Sequence, residues 1–214
     1  MVYRCQTIIF LVFFIFTSSL VSAAVHEPVW TELNKPVLTG SEQEPAVVEF
    51  FSFYCPPCHA FSQRYNIDRG IRDSLPKGKV MVKYHISTLG SQGEALTRAW
   101  SVAMVLGIEE KMEPLLFEAV QVTRTVKSPE DIRAVFVRAG VPAEQYEQLL
   151  ASEAVREKTA MQARLRQAFG VTGTPSVFIN GKYRINNEAF QAHTVADLRM
   201  KYVSAVTQLL NGRG

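Results

Sequence analysis

Cysteine is scarce in this chain: 214 residues carry three, and only Cys55 and Cys58 lie beyond the first 24. Two thiols cannot build the disulfide framework that holds small exported domains together, and a bridge between residues three apart closes too short a loop to restrict the unfolded chain much. Stability must come from a buried core. Histidine is sparse too, and none of His26, His59, His85 and His193 stands at the pair spacing that would complete a four-ligand zinc site with the cysteines. Charge is nearly balanced. The formal net charge of +3 falls to +2 if residues 1–24 are removed, because that segment holds one arginine and no acid, and this balance argues against nucleic acid as a partner. The sequence has no internal repeat and no low-complexity tract, and its apolar run from Ile8 to Phe16 is too short to span a bilayer.

That run is placed instead as in an export signal, with Arg4 before it and the small residues Ser22-Ala23-Ala24 suited to cleavage after it. An uncleaved anchor is the alternative, disfavoured by the early turn to Thr17-Ser18-Ser19. The expectation is a signal peptide over residues 1–24, removed on export. Cys5 leaves with it, and its position before the apolar run is wrong for a lipid-attached cysteine. The remaining residues, about 190, are enough to bury a core as one domain or as one domain carrying an insertion.

Strands are predicted at Val29 to Leu33, Ala46 to Tyr54 and Lys79 to Ile86, and Phe178 to Tyr183 reads as a hairpin turning at Asn180-Gly181, a pair that tolerates the positive φ angles such a turn needs. Between the third strand and the hairpin, Gly90 to Phe169 carries helical punctuation and no clear strand. Ser128, Pro129 and Asp131 form a helix start that Gly140 ends, and Ser152 to Phe169 is a longer helix closed by Gly170. Thr194 with Asp197 starts a last helix whose Val195, Leu198, Tyr202, Val206 and Leu209 share one face and should cover the sheet. The pattern is an α/β unit interrupted by helices.

The chemistry concentrates at Cys55-Pro56-Pro57-Cys58, just after the apolar strand and ahead of a helical stretch. Thiols at this spacing open and close a disulfide within one helical turn, which suits redox exchange. A cysteine at a helix N-terminus has a stabilised thiolate, and a disulfide whose reduced form is stabilised draws electrons from other thiols. The prolines act in opposite directions: Pro56 suits the first helical position, but neither Pro56 nor Pro57 has an N–H to offer the Cys55 sulfur, which leaves the Cys58 N–H within the motif. One pKa unit of lost stabilisation is about 1.4 kcal/mol, or about 30 mV in potential. Oxidising power should be tuned by this pair of prolines and not abolished. The same residues with His59 also match the C-x-x-C-H signature of covalent haem attachment, a non-enzyme rival. The upstream apolar strand and the downstream Asn-Gly hairpin fit an α/β redox fold better.

Glu49-Phe50-Phe51-Ser52-Phe53-Tyr54-Cys55-Pro56-Pro57-Cys58, Ala99-Trp100-Ser101-Val102-Ala103-Met104, Lys83-Tyr84-His85 and Asn180-Gly181-Lys182-Tyr183 together resemble the DsbA family of periplasmic thiol:disulfide oxidoreductases over nearly all of the chain beyond residue 24. The resemblance implies a thioredoxin fold with an inserted helical domain, residues 25–88 and 170–214 forming the thioredoxin-like part and 89–169 the insertion. It implies a periplasmic location, a disulfide donated to unfolded exported proteins, a monomer, and reoxidation by a DsbB-like quinone-linked membrane oxidase, with no cofactor beyond the redox-active disulfide. It maps Cys55 to the exposed nucleophile, Cys58 to the buried cysteine, and Pro175 to a cis-proline facing them. If Thr174-Pro175 is cis, the Thr174 backbone is placed to pair with an extended substrate segment. Two departures stand out. DsbA proper carries Pro-His between its cysteines where this chain has Pro56-Pro57, which is similar to the SrgA-type branch and implies a weaker oxidant with narrower substrate choice; and Thr174 replaces a bulkier apolar residue, as in disulfide isomerases.

Glu49 and Lys83 each fall within a strand that should be mostly buried, so each needs a partner, and a Glu49-Lys83 pair beneath the disulfide would take up or release protons during exchange. A pair near a sheet end with no redox role is the alternative. His59 is expected to turn away from the Cys55 sulfur, and His85 to be a structural histidine. A disulfide isomerase or reductase of the same fold shares the cysteines, but isomerases add a dimerisation domain for which the residues before the Cys-bearing strand leave no room. A peptide-holding chaperone would lack catalytic turnover.

Overall fold

The computed structural model describes residues 27–38 and 44–212, so the export-signal segment and Cys5 lie outside the described residues. Among those described, a five-stranded mixed sheet runs in the order β1-β5-β4-β2-β3, from β1 (Trp30–Glu32), β2 (Val47–Phe51), β3 (Met81–His85), β4 (Ser176–Ile179) and β5 (Tyr183–Ile185). β2 and β3 are parallel, with Glu49 opposite Lys83, and the other pairs are antiparallel. A parallel pair needs a crossover. It is made by α1 (Pro56–His59), a π-type continuation over Ala60–Arg64, and α2 (Ile67–Asp73). Then α3 (Gly93–Leu106), α4 (Glu109–Phe117), α5 (Pro129–Arg138), α6 (Ala143–Leu150) and α7 (Glu153–Ala168) precede β4, and α8 (Val195–Leu210) closes the chain. No helix of the described residues is long and apolar enough to cross a membrane.

Every residue of β2 is buried because both faces of the sheet are covered, which is why its sequence is a continuous apolar run and not an alternating one. On one face Val47, Val177 and Ile179 meet Ile67 and Ile71 of α2 and Tyr202, Val206 and Leu209 of α8. On the other, Val48, Phe50, Tyr84 and Phe178 meet Phe169, Val171 and the flank of α7. A third cluster joins Phe51, Phe53 and the two cysteines to α3, α4 and α5, through Trp100, Phe117 and Phe136. The thiols therefore sit where the sheet's end meets the helical block.

The strands are shorter than their apolar runs. β2 stops at Phe51, since Ile86 N–H takes the Phe51 carbonyl and Cys55 N–H turns back to Ser52 O at 3.0 Å, although Phe53 and Tyr54 have high strand propensity. The hairpin turns as expected: Asn180 and Gly181 have φ of 51° and 62°, and Lys182 N–H bonds Ile179 O at 3.0 Å. Ser128 and Asp131 form the reciprocal cap of α5, and Ser152 and Thr194 cap α7 and α8. In α8 the expected apolar face holds for Tyr202, Val206 and Leu209, Leu198 is half-buried against the same cluster, and Val195 is 47% exposed.

Candidate active site

Cys55 caps α1, and its sulfur accepts the Cys58 N–H at 3.3 Å, the donor that two prolines leave in the motif. Its thiol lies 3.2 Å from the Thr174 carbonyl. Both cysteines are free thiols, Cys55 with 5% of its surface exposed and Cys58 with none. The sulfurs are electrically unlike. A hydrogen bond from the Cys58 thiol, with further hydrogen bonds to Thr174 and the Cys58 N–H, outweighs burial and brings Cys55 down to about 6. Burial, the Cys55 sulfur and the charge of Glu49 push Cys58 far up. One sulfur is thus a ready anion at neutral pH, and its neighbour holds its proton.

The Thr174-Pro175 peptide is cis, and the Thr174 carbonyl faces Cys55. Asn187 Nδ2 donates to Pro175 O at 2.6 Å, and the Tyr202 hydroxyl donates to Asn187 Oδ1 at 2.9 Å, so α8 holds this loop through a side chain that no sequence pattern marked. Gln121, in the π-type segment Glu118–Val122 that continues α4, is another unmarked residue. Its Nε2 donates to Phe53 O at 2.7 Å and Cys55 O at 3.0 Å. With Gln121 above and Thr174 beside it, Cys55 is more enclosed than the exposed nucleophile expected. His59 turns to stack on Phe117, ring centroids 5.2 Å apart. His85 is buried, accepts Phe53 N–H on Nε2 at 3.1 Å and meets Thr97 Oγ1 through Nδ1 at 2.7 Å. Because the Thr97 hydroxyl donates to Gly93 O, Nδ1 carries the proton, and burial drives the ring down to about 3, keeping it neutral.

Glu49 and Lys83 do meet beneath the cysteines, Nζ to Oε2 3.1 Å, but not as a simple pair. Lys83 Nζ also donates to Asp68 Oδ2 at 3.1 Å and Glu113 Oε1 at 2.6 Å, so three carboxyl groups surround one ammonium. Glu49 is wholly buried, and neither of its oxygens receives a well-aligned hydrogen bond. Burial outweighs the attraction of Lys83 and pushes Glu49 up to about 8, whereas the three acids hold Lys83 firmly charged. A folded-state pKa above the usual carboxylate value means stability is full below about pH 4.5 and lost as pH rises towards 8. Glu49→Gln should therefore flatten that decline, which reaches about 1.4 kcal/mol per pH unit; urea unfolding of the reduced protein at pH 5 and 8 measures it, and parallel pH profiles for parent and variant would contradict it.

The DSBA-like thioredoxin domain family matches residues 46–202. The thiol:disulfide interchange protein DsbA of Pectobacterium carotovorum is 44% identical over 181 residues, covering 85% of this chain and 86% of that protein. The chain belongs to the DsbA family. Among solved structures, SrgA of Salmonella enterica serovar Typhimurium is 47% identical with a TM-score of 0.81, covering 85% of this chain and 98% of SrgA. Proteus mirabilis DsbA, solved with a non-covalently bound peptide, is 37% identical with a TM-score of 0.81, covering 86% of this chain and 96% of that one. The fold is accordingly the thioredoxin fold with an inserted helical domain, and the resemblance to the SrgA-type branch holds. As a DsbA-family member the chain is a thiol:disulfide oxidoreductase acting on exported proteins. Haem attachment is not favoured: the family match and the named relatives point to thiol:disulfide exchange at these cysteines.

Proposed function

We propose that the protein works as a dithiol oxidase whose redox group is the Cys55–Cys58 disulfide, with no dissociable cofactor. A substrate thiolate attacks Cys55 Sγ, the disulfide breaks, and Cys58 leaves with the electron pair. A second substrate thiolate then attacks the substrate sulfur of the mixed disulfide and releases Cys55 as a thiolate. Two electrons pass to the enzyme, and the substrate leaves with a disulfide. The observation that carries this reading is the inequality of the two sulfurs: Cys55 keeps a little surface where Cys58 has none, and its thiolate is the stabilised one, so it is both the atom an incoming thiolate can reach and the better leaving group.

Thr174 and Pro175 provide the edge along which an extended substrate pairs, a role supported by the Thr174 carbonyl lying against the Cys55 sulfur. The Glu49-Lys83 pair supplies and accepts protons, and the two prolines, by withholding N–H donors, moderate the thiolate's stability. The chain acts as a monomer after export to the periplasm with residues 1–24 removed, and a DsbB-like quinone-linked membrane oxidase restores the disulfide.

Equilibration with glutathione across pH tests the oxidase direction. Above the Cys55 pKa two electrons carry one proton and the potential should fall by about 30 mV per pH unit; below it they carry two and the slope doubles. The break is expected near pH 6. A potential at or below a cytosolic poise of about −220 to −260 mV would favour a reductase and overturn the proposal.

A further inference from the structure

Gly140, Gly170 and Gly212 each stand just past the C-cap of a helix, at φ of 92°, 60° and 72°, where a left-handed residue lets the chain turn away. The π-type segment Glu118–Val122 ends in the same way. Thr123 is its C-cap, and the Thr125 N–H reaches back to the Ala119 carbonyl at 2.9 Å, but the left-handed residue between them is Arg124, at φ 52°. Among the described residues every other positive φ belongs to glycine or asparagine. A long side chain is strained in that conformation and glycine is not. The fold makes no use of the side chain in return. Arg124 is exposed, and among the described residues its guanidinium has no hydrogen bond or ion pair, not even to the carbonyls at the helix end.

This residue stands beside the catalytic turn. It follows by three residues Gln121, whose amide is fixed to the Phe53 and Cys55 carbonyls. The turn that carries it is tied down on both sides: the Thr123 and Thr125 hydroxyls meet at 3.2 Å and donate to Glu118 O and Ala119 O. In the catalytic turn itself Pro56 and Pro57 are exposed and uncharged. Of the other charged groups on this rim, Glu118 and Lys127 are exposed, and the Asp131 carboxylate is already taken by the Lys127 and Ser128 N–H groups. The rim is therefore net positive, and Arg124 is the cation held there against backbone strain.

We propose that Arg124 is a specificity-determining residue, held at the mouth of the site to receive the carboxylate of an aspartate or glutamate beside the substrate's reactive cysteine. The inference rests on the oxidase reading and narrows its substrates to thiols in acidic segments. Strain kept without a structural return points to a role outside the fold. The chemistry fits that role in two ways. A carboxylate next to a thiol disfavours the thiolate that must attack Cys55, and a facing cation offsets this. The planar guanidinium also matches a carboxylate with two parallel donors. Arg124 takes no part in electron transfer; it acts on the encounter between substrate and the Cys55 sulfur.

Single-turnover reduction of the oxidised protein by peptides carrying a pair of cysteines tests this, with aspartate, asparagine or lysine flanking the first cysteine and the rest of each peptide identical. Each rate is divided by that peptide's rate with 2-hydroxyethyl disulfide, which removes the effect of the flanking charge on the thiol itself. At low ionic strength the parent should favour the aspartate peptide over the asparagine one by about threefold, with the lysine peptide slowest. About 0.5 M sodium chloride should erase most of that order. Arg124→Lys should keep the order. Arg124→Gly should treat the peptides alike to within about twofold and melt no lower than the parent, because glycine relieves the left-handed backbone. Undiminished selectivity in Arg124→Gly would overturn the assignment, and so would a lower melting temperature, which would show the side chain supporting the fold. A parent that oxidises none of the peptides sinks the oxidase reading, whereas one that oxidises all three alike sinks only this inference.

Discussion

Cys58→Ala is expected to abolish turnover yet accumulate a stable mixed disulfide at Cys55 when mixed with glutathione disulfide, whereas Cys55→Ala should form no adduct at all. The difference follows from burial and charge. At pH 7 a thiol of pKa about 6 is about 90% ionised, against about 1% for one at 9. Its intrinsic nucleophilicity falls by a Brønsted factor of about 0.4–0.5 per unit, some 20-fold over three units, so the gain as an attacker is only a few-fold. The larger benefit comes when Cys55 leaves. Cys58, with no surface and a pKa far above its ordinary value, has neither advantage. Mass spectrometry of the two variants after exposure to glutathione disulfide checks the pattern, and equal adduct formation at both positions would refute the assignment of roles.

Lys83→Met should cost about 3–5 kcal/mol at pH 7, because it removes the cation that three buried carboxyl groups share. Against a net stability of about 5–15 kcal/mol for a typical domain, that is a large fraction. Acidification from pH 8 to pH 5 ought to return part of it, because a protonated Glu49 no longer needs the ammonium. Adding Glu49→Gln to Lys83→Met should also restore stability by removing one orphaned acid. Urea unfolding at pH 5 and pH 8 measures both effects. A loss independent of pH would mean that Lys83 matters through its packing over Phe51, 5.1 Å from Nζ to the ring centroid, and not through its charge.

The charge cluster also shows what local sequence can and cannot reveal. Glu49 and Lys83 are conspicuous, since each interrupts a strand of apolar residues, and parallel pairing of β2 with β3 puts them opposite each other. Asp68 and Glu113 are not, because an acid on a helix is ordinarily a solvated residue and their partner lies 15 and 30 positions away. Their neighbours held a faint signal. Asp68 follows Ile67 and Glu113 follows Met112, both fully interior, so each acid starts from the edge of a buried face. The helix starts and the hairpin were legible because caps and Asn-Gly turns are satisfied within a few residues. Gln121 and Asn187 were not, since their bonds reach backbone carbonyls distant in the chain.

The Gln121 amide reaches from the π-type segment after α4, within the helical block, to the Phe53 and Cys55 carbonyls that lead into the catalytic turn. Any hinge-like parting of those two regions must break both bonds together, at about 1 kcal/mol apiece and more if the carbonyls stay dry. Substrate is thus met by a mouth braced against gaping, and adaptation to differently shaped client chains falls to the client.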